Sequence, residues 1–95
     1  MAEVTVKLFG VFRSDTHLAS EVVHGNSVID LFVPLNDRVD EVYAENKALN
    51  PSLEKPKPIR WQDAVVYING EKCKHKKDKL SDGDEIWIMS PASGG

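Results

Sequence analysis

Gly94 and Gly95 end the chain behind Pro91-Ala92-Ser93, and together they present a backbone carboxylate on two residues that lack Cβ. Such a pair can thread a channel too narrow for any larger residue and adopt φ/ψ values closed to other side chains. The C-terminal carboxylate itself is then the candidate reacting group, delivered to an enzyme beyond. An ordinary frayed terminus has the same small-residue composition, so the ending alone leaves both readings open.

Two other constellations could do chemistry. The run Lys72-Cys73-Lys74-His75-Lys76-Lys77, with Lys79 close behind, gathers five lysines around the single cysteine. A positive field can lower a thiol pKa, yet no base is placed beside Cys73 by the sequence. His17 and His24 lie far from His75 in sequence, and the spacing is that of no recognisable metal site. A basic patch of this kind can meet phosphate or an acidic protein, but a hairpin end is also where solvated lysines discourage edge pairing, and that is the favoured reading. No aromatic residue is interleaved with them, which argues against a single-stranded nucleic-acid platform.

These residues must be positioned by one small domain. The 95-residue chain is 41% hydrophobic and 28% charged, with a formal net charge of −3, an ordinary globular composition. Residues 1–50 carry four Lys/Arg against eight Asp/Glu, and residues 51–95 carry eight against seven. Neither half has the strong basic excess of a nucleic-acid protein, so no nucleic-acid partner is expected. One cysteine excludes an intramolecular disulfide, and a reducing compartment follows as the simpler expectation. No apolar run approaches the ~20 residues of a membrane span, and Met1-Ala2-Glu3-Val4 lacks the regions of a signal peptide; a cytoplasmic location without membrane contact is expected.

Val4-Thr5-Val6-Lys7-Leu8-Phe9 alternates with period two, giving a strand with Val4, Val6 and Leu8 on one face. Gly10–Thr16 reads as a turn, and Leu18–Val23 as the returning strand, with Leu18, Ser20 and Val22 opposite Ala19, Glu21 and Val23. Ser27 with Asp30 three residues on forms a variant capping box. It opens a helical region over 28–47 that Pro34 either kinks or restarts. Residues 50–58 hold three prolines and read as an extended surface connection, while Ile59-Arg60-Trp61 is ambiguous. Ala64–Ile68 is a strand, Asn69-Gly70 favours a type I′ turn, Glu71–His75 returns, and Ser81-Asp82-Gly83-Asp84 turns into a last strand, Glu85–Met89. The fold class is α+β, a mixed sheet with helical structure packed on one face. Val4, Val6, Leu8, Val66, Ile68, Ile86 and Ile88 face the helix, and parity sends Phe9, Val65, Tyr67, Trp87 and Met89 to the other side.

The segments Val4–Phe9, Val66-Tyr67-Ile68-Asn69-Gly70, Leu80–Ile86 and Ser90-Pro91-Ala92-Ser93-Gly94-Gly95, in this order and spacing, resemble the MoaD/ThiS sulfur-carrier family of ubiquitin-like β-grasp proteins. The resemblance spans nearly the whole chain and is greatest to the MoaD branch, the small subunit of molybdopterin synthase. It departs from the family pattern at Pro34, in the length of residues 50–63, and at Ser90, where that branch often has proline.

The resemblance implies a β-grasp domain over residues 1–89 and a flexible reactive tail over 90–95. It implies that a ubiquitin-activating-type adenylyltransferase consumes ATP to convert the Gly95 carboxylate to an acyl-adenylate, because a carboxylate has no good leaving group. A sulfur donor of cysteine desulfurase or rhodanese type then displaces AMP, leaving a Gly95 thiocarboxylate. That sulfur would pass to the active site of the molybdopterin synthase large subunit. The chain is in this picture a protein cosubstrate with no bound cofactor and no metal. Gly94 lets the backbone pass, and Ser93, Ala92 and Pro91 form the stem, Pro91 restricting its freedom. The open sheet face, Phe9, Tyr67, Trp87 and Met89, becomes the expected partner-docking surface, since interface centres favour aromatics and Met. The same fold and tail also fit a ubiquitin-like modifier joined through Gly95 to target lysines, a carrier serving thiamine or tRNA thiolation, or a binding module that is never activated.

Overall fold

The computed structural model describes residues 1–91. Strand β1 (Ala2–Leu8) leads into helix α1 (Gly10–Thr16) and returns as β2 (Ser20–Gly25). A 3-10 turn (Val28–Leu31) then enters helix α2 (Phe32–Leu49), and a second 3-10 turn (Trp61–Asp63) precedes β3 (Val65–Ile68), β4 (Glu71–Lys72) and β5 (Glu85–Met89). The sheet order is β2-β1-β5-β3-β4. Only β1 and β5 run parallel; β1–β2, β3–β5 and β3–β4 are antiparallel.

The alternation in β1 and β5 does what period two requires. Val4, Val6, Leu8, Val66, Ile86 and Ile88 are all buried, and they meet Val28, Leu31, Leu35 and Val39 from the helical layer. Ile68 is only partly buried at the rim of that core. Fully burying an aliphatic side chain of this size is worth about 1.5–3 kcal/mol, so this layer is the main source of stability. No helix of the described residues is long and apolar enough to cross a membrane.

Ser27 and Asp30 pair as the capping signal predicts: the Ser27 N–H and hydroxyl both donate to Asp30 Oδ2, at 3.1 and 3.0 Å, and the Asp30 N–H donates to Ser27 O at 3.1 Å. Of the two outcomes open at Pro34, the second holds. Pro34 is in the first turn of α2, where a missing N–H leaves nothing unsatisfied. The helix runs on to Leu49, two residues beyond the sequence expectation.

Residues 10–16 are a helix and not a turn. Seven residues carry too little periodicity to be recognised, and tertiary contacts hold them. Gly10 enters at φ 60°, and His17 leaves at φ 60° with its N–H donating to Arg13 O. The Thr16 hydroxyl donates to Phe12 O at 2.6 Å and accepts from Leu18 N–H at 3.2 Å, closing the last turn around a buried side chain. This helix also delays β2 to Ser20. Leu18 is buried ahead of the strand, whereas Val22, placed with it by parity, is exposed.

The return strand after Asn69-Gly70 is two residues long instead of five. Asn69 (φ 51°) and Gly70 (φ 87°) make the tight turn, a left-handed pair that Asn-Gly tolerates best. Beyond Lys72 the backbone exchanges sheet partners for the first 3-10 turn: Ile29 N–H donates to Lys76 O at 2.7 Å and Val28 N–H to Asp78 O at 3.0 Å. Cys73 turns into the core at the departure point.

The long connection is pinned to the helix side. The Tyr43 hydroxyl and Lys47 Nζ both donate to Leu53 O. The Asn36 side chain grips Ile59 at two points, donating to its carbonyl and accepting from its N–H, each at 2.8 Å. Ile59 is thereby held in the core at 1% exposure. The connection consequently does not cover the other sheet face.

Candidate functional site

The open face is organised by strand register. Trp87 in β5 pairs with Lys7 of β1 on one side and Tyr67 of β3 on the other, so all three side chains emerge on the face away from α2. Met89 pairs with Val65 in the same way. Phe9, just past the end of β1, keeps extended dihedrals and donates its N–H to Ile88 O at 3.1 Å, which carries its ring to the same face.

Three rings therefore meet at Trp87. The Phe9 ring stands edge-on to the indole at 5.9 Å and 73°, and the Tyr67 ring lies tilted at 6.2 Å and 46°. Such pairs are worth about 0.5–1.5 kcal/mol each beyond their burial. Phe9, Tyr67, Trp87 and Met89 are all half-buried, which leaves a pre-arranged apolar patch open to a partner. All four residues assigned to docking from the sequence are thus brought together on this one face.

A polar border orders the patch. The Trp87 indole N–H donates to Glu85 Oε1, and Lys7 Nζ lies 3.4 Å from that same oxygen. Glu85 and Lys7 were not singled out from the sequence, although the signal was there: Glu85 is two residues before Trp87 and so shares its face. The indole hydrogen bond, seconded by Lys7, holds the Glu85 carboxyl below the ordinary glutamate pKa. A lowered folded pKa means that this stabilisation is present above the usual value of about 4.3 and is lost as pH falls through the depressed one. On acidification the Trp87 indole N–H resonance should therefore move with a midpoint below the ordinary Glu range, and Glu85→Gln should remove the transition. A midpoint at or above that range in an NMR titration would rule out the indole–carboxylate contact.

Pro91 is the last described residue, two positions beyond Met89. Ala92, Ser93, Gly94 and Gly95, the rest of the stem and the candidate reacting end, lie outside the described residues. What the structure does place is the strand that feeds them: β5 carries Trp87 and Met89 and leads straight into Ser90-Pro91.

Cys73 is 7% exposed, with Sγ 3.2 Å from His75 O and 3.6 Å from Asp78 Oδ2. Burial pushes its thiol pKa up, opposite to what a nucleophile needs. Among the described residues no group of three His, Cys, Asp or Glu side chains could hold a metal ion.

A five-stranded mixed sheet closed on one side by a long helix, with an apolar face on the other, is the β-grasp, ubiquitin-like architecture. The chain belongs to the ThiS family, whose model matches residues 6–95. It is similar to small archaeal modifier protein 1 from Methanosarcina acetivorans at 33% identity and TM-score 0.70, over 100% of this chain and 98% of that one. Its fold is also that of a chain in the protein-protein complex of subunits 1 and 2 of molybdopterin-converting factor from Helicobacter pylori, with 18% identity, TM-score 0.54, and coverage of 98% and 99%. A chain in the BexX/CysO complex from Amycolatopsis orientalis shares it at 23% identity and TM-score 0.63, covering 97% and 99%. No curated protein matches the chain significantly. The class is thus a ThiS/MoaD-like sulfur carrier or ubiquitin-like small modifier.

Proposed function

We propose that the chain is a sulfur carrier acting through its terminal Gly95, with the small subunit of molybdopterin synthase as its role. The observation that carries the reading is the uncovered Phe9–Trp87–Tyr67 cluster with Met89 on the strand that leads into the tail. A partner gripping that face would hold the tail at its root. The six residues 90–95 can then reach about 20 Å into the partner at roughly 3.3–3.6 Å per residue.

In this reading the partners are an adenylyltransferase of ubiquitin-activating type and a sulfur donor of cysteine desulfurase or rhodanese type, followed by the molybdopterin synthase large subunit. The Gly95 carboxylate attacks the α-phosphorus of ATP with loss of pyrophosphate. The terminal sulfur of the donor's persulfide displaces AMP to give an acyl disulfide, and a second thiol of the donor cleaves its S–S bond, ending as a disulfide and releasing the thiocarboxylate whose sulfur is the nucleophile donated onward. The small Gly94 permits close passage, while Pro91, Ala92 and Ser93 act as stem. The chain's one thiol is buried and its pKa is raised, so Cys73 offers no competing sulfur nucleophile.

A second reading is favoured by the 33% identity to a small archaeal modifier protein: activated Gly95 is joined to a target lysine. Intact-mass spectrometry of the protein from its own cells separates the two. The carrier reading expects a species heavier by the difference between sulfur and oxygen at Gly95. Larger conjugates with a Gly-Gly remnant on lysines, and no thiocarboxylate, would replace it with the modifier reading.

A further inference from the structure

The basic run is not a loose hairpin end. Its backbone is fixed at both sides: Cys73 N–H donates to Val66 O at 2.7 Å, Lys76 O and Asp78 O accept from the first 3-10 turn, and Leu80 N–H donates to Asn26 O at 3.0 Å. Lys72, Lys74, His75, Lys76, Lys77 and Lys79 all stay exposed on this pinned loop. Among the described residues none of these lysines is in an ion pair, whereas Lys7, Arg38, Lys55 and Arg60 each are. A concentration of unneutralised positive charge thus stands on a protein whose net charge is −3.

What adjoins the loop gives it a direction. Lys74, His75, Lys76 and Lys77 share a depression with Trp61. On its other side Trp61 helps line a mainly apolar cleft with Ile29, Phe32, Val33 and Ile59. Val33 is 70% exposed there, an aliphatic side chain left in water on the first turn of α2. Trp61 is half-buried between the two and packs against the core. This surface is on the helix-bearing side of the sheet, away from Phe9, Tyr67, Trp87 and Met89.

We propose that the surface formed by Trp61, the Ile29–Phe32–Val33 cleft and the Lys74–Lys77 rim docks an acidic polypeptide segment that carries an apolar anchor. The charge of the rim selects an acidic partner and steers its approach. The cleft gives an apolar side chain somewhere to be buried, which a phosphate backbone cannot use, and Trp61 is of the type that dominates interface centres. Because the surface is separate from the open sheet face, an acidic partner here and a partner on the tail side can be held simultaneously.

The probe is a short synthetic peptide, rich in Glu and Asp on both sides of a Leu-Phe pair, added to the full-length protein and followed by amide and indole NMR shifts. Shifts are expected at Trp61 and residues 74–77, with the Trp87 indole unmoved, and affinity should fall as salt is raised. Combining Lys74→Glu, Lys76→Glu and Lys77→Glu should weaken binding by about tenfold or more, three lost surface ion pairs being worth that much. Val33→Asp, at an exposed site where folding is not at risk, should weaken it independently. The proposal is overturned by absence of binding, or by shifts that map instead to Phe9 and Trp87. It is equally overturned if a Ser-Ser version of the peptide or a single-stranded oligonucleotide binds as tightly. Concentration-dependent shifts at 74–77 in the protein alone would assign the surface to a second copy and reject the acidic partner.

Discussion

Deleting Gly95 should abolish ATP-dependent activation of the chain by the proposed adenylyltransferase while leaving the fold untouched. The deletion does not remove a carboxylate; it moves one back by a full residue, about 3.3–3.6 Å of extended chain. A misplacement of about 1 Å at a reacting centre can already cost about 10²-fold, so the loss should exceed that factor by a wide margin. Gly94→Val tests the same channel differently, keeping the carboxylate at its distance but adding a branched side chain. It should lower kcat/KM by a comparable factor, with less effect expected from Gly94→Ala. Stability is a clean control, because the buried core of the described residues is built between Val4 and Ile88, and Tm should not move. Pyrophosphate exchange with the purified activating enzyme gives the readout. Retained exchange in the Gly95 deletion would falsify terminal activation and leave the domain as a binding module.

How legible such a site is depends on what kind of regularity encodes each part. The open face could be read from period two alone, since Phe9, Tyr67, Trp87 and Met89 are separated from Leu8, Val66, Ile86 and Ile88 by a single residue step each. The turn at Asn69-Gly70 and the capping box at Ser27 and Asp30 were likewise local, because each side chain acts on backbone within a few residues. Features that depend on distant partners were not legible. The helix at Gly10–Thr16 exists through packing of Phe12 and Thr16 against a core assembled elsewhere. The return strand ends at Lys72 because residues 76 and 78 find acceptor roles toward Ile29 and Val28. Ile59 was ambiguous because its place depends on Asn36, twenty-three residues away. The contact of Trp87 with Glu85 is an intermediate case: the i, i+2 relation was visible, but the convergence of Lys7 on the same oxygen needed the parallel β1–β5 pairing.

The docking face carries the other large expected effect. Trp87 is its centre, touching Phe9 and Tyr67 and anchored through Glu85, and truncating a central aromatic typically costs about 2 kcal/mol or more of binding. Trp87→Ala should therefore weaken association with the activating enzyme by about thirtyfold or more. That variant also loses two intramolecular ring contacts worth about 0.5–1.5 kcal/mol each, so its Tm should fall by several degrees and its binding loss alone is not decisive. Met89→Asp separates the two effects. Met89 is at the margin of the ring cluster, next to the root of the tail, and is outside the buried core. A carboxylate there costs the folded monomer little while water can reach it, but it must be desolvated without a partner once the interface closes. Binding should drop by at least tenfold with Tm nearly unchanged, whereas Leu49→Ser, at the exposed end of α2, should bind like the unaltered chain. Equal affinities for Met89→Asp and Leu49→Ser in a calorimetric titration, with both folded, would mean that the partner grips the domain elsewhere and that the aromatic face has no part in presenting Gly95.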